Sequence, residues 1–371
     1  MGVQISPRAP RMDKLKFYFH KYESHLSSAT LVFGFIFDFF TLQRVDYLGD
    51  NIFVISYLLV AGTSIIVINL YEDGKLQNKF FGAIHEFLPF VLQFAFGGLF
   101  SAFVIFYSQS ASFVSSGVFI LILVTLLVGN EFFKKRYEKL VFQTGVYFIA
   151  LFSFFIYFLP VLLKKMGAWV FLGSGAISLF LIRIFILFIA RYSPRRYKES
   201  YQILFATILS LFILINFLYF TNIIPPIPLS LKSADVYHLV TKKSDGNYEA
   251  VGEATSWMDK FRFNKKLHLE SGDPAYVFGS VFAPTDLNTT IVHDWQYFSE
   301  TSNKWVSVSK ISFPIRGGRG EGYRAFSKKS NVFPGKWRVD IKTERGQVVG
   351  RVRFIVERMD SKNITLETKS I

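Results

Sequence analysis

The chain has 371 residues, of which 51% are hydrophobic and 18% aromatic, and its mean hydropathy is +0.32. This composition is too apolar for an ordinary soluble protein and predicts a membrane protein. The formal charge of +15 includes no basic run interleaved with stacking aromatics, so we expect no nucleic-acid partner. The absence of cysteine excludes disulfides, thiol nucleophiles and thiolate metal sites.

Apolar stretches long enough to cross a bilayer predict a transmembrane domain of about seven helices over residues 26–222. Residues 1–25 ahead of it are basic but have neither the apolar core nor the cleavage site of a signal peptide, and we interpret them as a cytoplasmic segment. The predicted spans are 26–43, 51–70, 84–107, 111–129, 140–163, 168–190 and 200–222.

The distribution of basic residues between the spans predicts their orientation. Alternate intervals, beginning with the N-terminal segment, hold fifteen lysines and arginines, whereas the intervals between them hold three. We therefore expect a cytoplasmic N-terminus in a bacterial inner membrane. Everything after the seventh helix should then lie outside the cytoplasm.

Proline ends the helical region in the sequence IIPPIPLS, which makes residues 223–230 a connector. Beyond it the hydrophobic period changes to two, most clearly in Trp337, Val339 and Ile341 and in Val352, Phe354 and Val356. About eight short strands predict an all-β sandwich with an immunoglobulin-like fold over residues 231–358, outside the cytoplasm. Residues 359–371 are predicted to be a C-terminal tail.

A polar cluster ends the first predicted helix. Asp38 lies inside the apolar run, Thr41 follows one turn later, and Arg44 and Asp46 stand where the chain leaves the bilayer. A carboxylate at such a depth is costly without a partner, and Asn216 lies at a comparable depth in the seventh helix. The cluster predicts either a helix-packing role or a polar site that opens beneath the exported domain.

Two further charges stand inside predicted spans, Glu86 near the start of the third and Arg183 near the end of the sixth. Because a lone charge in hydrocarbon is unfavourable, their similar depth predicts an ion pair that fixes helix packing. The alternatives are that they form part of a transport or proton path, or that Arg183 extends to lipid phosphate.

In the β region, His293, Trp295 and Tyr297 project to one face of a predicted strand. Such a row suits sugar or peptide stacking, and it equally suits a sandwich core. A second polar set, predicted to accompany it on a ligand face, is Arg324, Ser327 and Lys329. The six histidines show no metal-binding spacing and no nucleotide or nucleophile motif occurs, so we expect no metal, cofactor or catalytic residue.

Several runs resemble a known family. They are VHDWQYF from Val292, GYRAFSKK from Gly322 and GKWRVDIKTERGQVVGRVRFIV from Gly335, together with the first-helix stretch from Gly34 to Asp46. They are similar to the bacterial domain-of-unknown-function family twenty-nine-fourteen and its membrane portion. The resemblance implies a multi-pass bacterial membrane protein with a C-terminal exported domain, and it brings no established activity. Phe326 departs from the tryptophan that the family pattern would place there.

Three functional hypotheses follow. The leading one is a cell-envelope protein whose sandwich binds a partner protein or glycan, with membrane lipids around the helices. The alternative is a transporter or lipid-handling protein with a polar path through Asp38, Glu86 and Arg183. A third is an envelope enzyme that uses Asp38 or Asp46 as an acid or base.

Overall fold

The computed structural model describes residues 33–42, 44–85, 87–110, 113–132, 139–254, 265–318, 320–358 and 364–371. The N-terminal part is helical and the C-terminal part is built from strands. A helical stretch over residues 33–41, α1, precedes seven helices. These are α2 (Leu48–Glu72), α3 (Lys79–His85), α4 (Leu88–Ser110), α5 (Phe113–Phe132), α6 (Leu140–Leu163), α7 (Ala168–Tyr192) and α8 (Pro194–Phe220).

Five of these helices, α2, α4, α6, α7 and α8, are long and apolar enough to span a membrane. They correspond to five of the seven predicted spans, with shifted ends. Helix α8 begins at Pro194, because the fixed φ of proline suits a first helical turn. The predicted span 111–129 falls on α5, whose apolar part, Ser116–Asn130, is shorter. The predicted span 26–43 lies largely outside the described residues.

Helices α4 and α6 form the centre of the helical domain, since they are the most buried of the five. Small residues let their neighbours pack closely. A Cβ on Gly98 would lie 2.5 Å from the Tyr57 ring, and one on Gly175 would lie 3.0 Å from Phe152. These glycines therefore have a packing role.

The connections between helices are divided between two ends of the bundle. At one end, Arg196 at the start of α8 donates from Nε to Asn69 Oδ1 near the end of α2, at 3.0 Å. At the other end, the α1–α2 corner, the α6–α7 turn and the last turn of α8 all meet the β domain. This division agrees with the alternation of basic and non-basic intervals. Which end faces the cytoplasm remains a prediction.

The β domain contains eleven strands within its described residues, where the sequence predicts about eight. They are β1 (Ser230–Tyr237), β2 (Leu239–Lys242), β3 (Tyr248–Glu253), β4 (Lys265–Leu269), β5 (Ala275–Phe282), β6 (Asn288–Ser299), β7 (Lys304–Arg316), β8 (Tyr323–Lys329), β9 (Gly335–Thr343), β10 (Val348–Arg358) and β11 (Leu366–Ser370).

The strands form three sheets, in the orders β1-β5-β8, β4-β10-β9-β6-β7 and β11-β3-β2. Trp295, Trp337 and Phe354 fill the core, and Val277 of β5 packs in the same cluster. An immunoglobulin-like arrangement is not confirmed, because β4 and β10 are parallel and a third sheet is present. The segment 359–371, predicted as a tail, includes β11, which pairs with β3.

The connector is packed between the two domains. Residues 224–230 are all buried, and the Gln347 side chain donates from Nε2 to the carbonyl oxygen of Ile224 at 3.3 Å. Met166, in the α6–α7 turn, packs on the apolar cluster around Leu229. On the surface, Lys164 Nζ lies 2.6 Å from Asp286 Oδ2. These contacts hold the β domain against one end of the helices.

The first prediction concerns this docking. Cysteines introduced as Lys164→Cys and Asp286→Cys, in a chain that has none of its own, should be joined by a short bismaleimide in native membranes, because the two side chains are in contact. The product should migrate as an internally crosslinked monomer on a denaturing gel.

The matched control pairs Lys164→Cys with Glu300→Cys. Asp286 precedes β6 and Glu300 follows its far end. Because β6 is 12 residues long, Glu300 lies roughly 40 Å from Asp286. That pair should not crosslink. Equal yields from the two pairs would mean that the β domain moves freely on its connector.

Candidate functional site

The polar cluster of the first helix forms the corner between α1 and α2. The Arg44 guanidinium bonds the Asp46 carboxylate through both Nε and Nη2, at 2.9 and 2.7 Å. It also lies 4.9 Å from the Tyr47 ring centroid and 4.8 Å from that of Phe282 on β5. Arg44 therefore pairs locally with a carboxylate and makes its contact with the β domain through an aromatic ring.

The other members of the cluster face inward or bond locally. Asp38 is 5% exposed and lies near Ser101 of α4. Thr41 donates to the carbonyl of Phe37 in its own helix at 2.9 Å. Asn216 likewise donates within its own helix, to Phe212 at 2.8 Å, so its amide does not reach toward Asp38. Among the described residues, the contacts of this cluster are local or directed to α4. The choice between a helix-packing role and a polar site remains a prediction.

The pair predicted between Glu86 and Arg183 has one member outside the described residues, Glu86. Arg183 lies on an exposed face of α7. An arginine in that position can extend to the headgroup region, the third of the alternatives that the sequence leaves open. The ion pair remains a prediction.

The row of His293, Trp295 and Tyr297 lies mainly in the core. His293 is 1% exposed and Trp295 is fully buried. Trp295 Nε1 donates to Ser327 Oγ at 3.0 Å, and Ser327 Oγ lies 2.9 Å from His293 Nδ1. The indole can only donate, so the Ser327 hydroxyl accepts from Trp295, and the imidazole tautomer decides which atom donates between Ser327 Oγ and His293 Nδ1. Burial lowers the pKa of His293 to about 4, so the ring is neutral near pH 7.

The second polar set does not share one face. Successive residues of a strand point to opposite sides, so Arg324 projects away from Ser327 and Lys329. Arg324 lies 5.6 Å from the Tyr248 ring centroid and bonds the carbonyl oxygen of Ile371 at 3.3 Å. The structure thus separates the six residues of the predicted ligand face into a buried hydrogen-bonded core and two half-buried positions on opposite sides of β8.

The opposite face of β6 carries a charged surface. Strand pairing places Asp294 opposite Lys310 of β7 and Asp340 of β9, with Arg351 of β10 next in the row. Residues directly opposite one another project on the same side of a sheet. We call this surface the basic sheet face, and its charged members are Asp294, Lys310, Lys336, Arg338, Asp340, Lys342, Arg351 and Arg353.

The two carboxylates of the basic sheet face are neutralised by specific partners. Asp294 and Asp340 are direct cross-strand neighbours, an arrangement that is unfavourable for like charges. Lys342 Nζ lies 2.6 Å from Asp294 Oδ2, and Arg351 bonds both oxygens of Asp340. Burial alone would raise the pKa of Asp294, but hydrogen bonds from Lys342, Ser307 and Gln296 lower it below its usual value.

Two further arginines of this face have no carboxylate hydrogen-bonded to them among the described residues. Arg338 and Arg353 stand directly opposite each other on β9 and β10. Arg338 Nε bonds Gln296 Oε1 at 2.8 Å, and its guanidinium lies 4.4 Å from the Trp305 ring centroid. Burial lowers the pKa of Arg338, and the charges of Arg351 and Arg353 lower it further, while the nearby carboxylates of Asp340 and Asp294 partly offset this. A pair of adjacent guanidinium groups held in this way is suited to bind an anion.

Sequence reasoning selected the other face of β6 as the ligand surface. The alternation of the terminal hairpin already separates Arg338 and Arg353 from the apolar positions between them. The polar positions of this hairpin carry more cations than carboxylates, and this excess was the sequence signal for an anion-binding face. It becomes visible only when β6, β9 and β10 are known to be neighbours in one sheet.

The buried imidazole generates the second prediction. Its lowered pKa means that the unfolded chain binds a proton more readily than the folded one below pH 6.5. Stability from this group is complete above pH 6.5 and is lost as the pH falls to about 4. Over that interval the loss for wild type should be about 3 kcal/mol, and thermal unfolding of the full chain in detergent should show it.

The control is His293→Gln, which removes the titration while keeping a polar side chain beside Ser327. Its unfolding midpoint should fall less steeply with acidification than that of wild type. Parallel curves for the two proteins would show that His293 is not the buried neutral group described above.

Comparison with known proteins supports an assignment for the C-terminal region only. No curated protein matches the chain. A solved structure of the Pseudomonas fluorescens alkylpurine DNA glycosylase AlkC, bound to DNA containing an abasic site analog, aligns at 9% identity with a TM-score of 0.21. The alignment covers 85% of this chain and 99% of that one. A likeness at that TM-score bears on neither fold nor function.

A family match covers β6 to β10, the strands that carry both the buried His293 and the basic sheet face. The matching family is described as protein of unknown function DUF2914, over residues 288–356. The C-terminal region of this chain therefore contains a DUF2914 domain of unknown function.

Proposed function

We propose that this chain is a cell-envelope membrane protein whose extracytoplasmic β domain binds the acidic groups of a glycan on its basic sheet face. The support for a membrane protein is the five apolar helices, and the support for a separate binding domain is the β region that follows them. In this proposal the protein resides in the bacterial inner membrane with a cytoplasmic N-terminus, and the helices hold the domain close to the membrane.

The observation that carries the proposal is the opposition of Arg338 and Arg353. Two like charges directly across a strand pair destabilise a sheet, and no carboxylate among the described residues is bonded to either guanidinium. Arg351 and Lys342, by contrast, are each paired with an aspartate. A structural role explains Arg351 and Lys342. In this proposal, Arg338 and Arg353 are explained by a ligand that brings the negative charge.

The shape of the surface favours a chain of sugars over a compact protein partner. It lies on the broad side of a five-stranded sheet. Exposed Lys310 and Lys336 flank the arginines, and Lys336 lies over the Phe298 ring at 5.6 Å. Cations spaced along such a surface fit carboxylates or phosphates repeated along a polymer. The Trp305 ring holds the Arg338 guanidinium in place, which reduces the entropy lost on binding.

The alternative function, transport or lipid handling through Asp38, Glu86 and Arg183, gains little from the described contacts. Asp38 packs toward α4 and Arg183 lies on the exposed side of α7. A different feature favours lipid handling, a groove of about 880 Å³ between α5, α6 and α8. It is apolar along Val141, Ile149 and Leu211, and Lys139 and Arg196 also line it. A lipid acyl chain would fit there without using the three predicted residues.

The third prediction tests the basic sheet face by charge reversal. Arg353→Glu should weaken binding of alginate oligomers, which carry a carboxylate on each sugar, by roughly 10- to 100-fold, the value of a charge-assisted hydrogen bond. The substitution should also leave the fold intact or slightly more stable, because the new carboxylate would face Arg338. Binding to full-length protein in nanodiscs is measured by calorimetry.

The matched control is Lys328→Glu, the same change of charge at an exposed position of β8 in another sheet. It should leave alginate affinity within about twofold, and uncharged dextran should bind neither protein. Equal losses of alginate affinity in Arg353→Glu and Lys328→Glu would show that the net charge of the domain, and not the basic sheet face, determines binding. If the β domain binds an acidic protein but no acidic glycan, the proposed ligand is an acidic protein.

The fourth prediction concerns orientation. A reporter enzyme that requires export, fused after Ile371, should be active, and one that works only in the cytoplasm should be inactive, because basic intervals are retained inside. The opposite pattern would place the β domain in the cytoplasm and would remove envelope glycans as ligands. The same fusions placed after Lys75 serve as the internal control and should give the reverse result.

A further inference from the structure

A cleft of about 100 Å³ lies between the helical domain and the β domain. Phe171 and Tyr219 form its helical wall, and Thr343, Arg345 and Gln347 of the β9–β10 turn form the opposite wall. Because a cavity needs only roughly 10–15 Å³ of such space to hold one water molecule, the cleft has room for several waters or for one tetrahedral anion. It is separate from the basic sheet face.

Two polar atoms in the cleft wall lack hydrogen-bond partners among the described residues. Thr343 is 7% exposed and its Oγ1 is buried and unbonded. Arg345 Nη1 is buried and unbonded as well. A buried polar group that is left without a hydrogen-bond partner destabilises the folded state. Their convergence on one cavity indicates that something polar occupies it.

The Arg345 guanidinium is held in position by aromatic rings. It lies 4.2 Å from the Tyr219 ring centroid and 5.4 Å from that of Phe220. Its backbone carbonyl accepts a hydrogen bond from Asn222 Nδ2 at 3.4 Å. No salt bridge joins it to a carboxylate among the described residues, and the exposed Glu344 beside it also lines the cleft. The positive charge is fixed and lacks a bonded counter-charge.

The surroundings place the cleft at the surface of the bilayer. Trp169, two residues after Gly167 of the cleft wall, is 86% exposed. Leu162 and Leu163, at the end of α6, are exposed at the same turn. Tryptophan next to exposed apolar residues is typical of the membrane interface. The phosphate groups of lipids lie at that level.

We propose that this cleft is a phosphate-binding site in which the Arg345 guanidinium and the Thr343 hydroxyl donate hydrogen bonds to phosphate oxygens. Arginine is suited to this because its donors match the geometry of phosphate oxygens. A phospholipid headgroup and inorganic phosphate offer the same chemistry, and at the membrane surface both are available. Because the walls come from both domains, the bound phosphate would also hold them together.

The test uses the full chain, purified in maltoside detergent, which contains no phosphate. Native mass spectrometry counts phospholipids retained by wild type, Arg345→Gln and Thr343→Val. In parallel, thermal unfolding of delipidated protein is measured with sodium phosphate and with sodium chloride at equal ionic strength. We expect Arg345→Gln to weaken phosphate binding about 10- to 100-fold and Thr343→Val about two- to tenfold.

Retained phospholipid that is lost in both variants, without a shift from inorganic phosphate, identifies the lipid headgroup as ligand. A shift caused by inorganic phosphate in wild type alone identifies the free anion. Glu344→Gln is the matched control and should bind at least as well as wild type, because it removes a negative charge. The proposal is overturned if both assays give the same result for wild type, Arg345→Gln and Thr343→Val.

Loss of domain docking is distinguished by the crosslink between residues 164 and 286. Thr343→Val is nearly isosteric and removes only the unbonded hydroxyl, so it should keep that crosslink and still bind less phosphate. Arg345→Lys should recover part of the binding, since it keeps the charge but not the planar donor set. A Thr343→Val protein with full crosslinking and unchanged phosphate binding would contradict the proposed role of the Thr343 hydroxyl as a phosphate donor.

Discussion

The buried connector is the constraint on which the arrangement of the two domains depends. Residues 224–230 are enclosed, so the β domain cannot turn about them as it would about an exposed flexible linker. The Arg44 contact with Phe282 and the Lys164 pair with Asp286 add two attachment points on other helical connections. An exposed ion pair contributes little by itself. Enclosure of apolar residues around Leu229 therefore carries most of the attachment.

The long apolar helices were predictable because hydrophobic length is a property of one segment at a time. Five predicted spans correspond to α2, α4, α6, α7 and α8. The short helix α3 was missed because most of it precedes the predicted third span, and its seven residues are too few to show a helical period. In the β region, the alternation around Trp337 and Val352 predicted the last hairpin. The parallel pairing of β4 with β10 joins distant segments, and no local pattern shows it.

The candidate site could be predicted only in part, because alternation separates two faces of a strand without saying which one is covered. The row of His293, Trp295 and Tyr297 has the composition of a ligand surface, yet a second sheet packs on it and Ser327 satisfies both polar rings. A neutral imidazole and an indole are acceptable in a core when their polar atoms are bonded. The cations on the other side of the same sheet are too costly to bury, and this difference decides which face is open.

The two proposed sites follow from the same consideration of unbalanced polar groups. Asp294 and Asp340 would repel each other, and the sheet supplies Lys342 and Arg351 to neutralise them. Arg338 and Arg353 also face each other, and among the described residues no carboxylate is bonded to either guanidinium. In the cleft, Arg345 has no salt bridge to a described carboxylate, although Glu344 also lines the cleft. In both proposed sites, an anion from outside the chain would supply the counter-charge that Lys342 and Arg351 supply to the two aspartates.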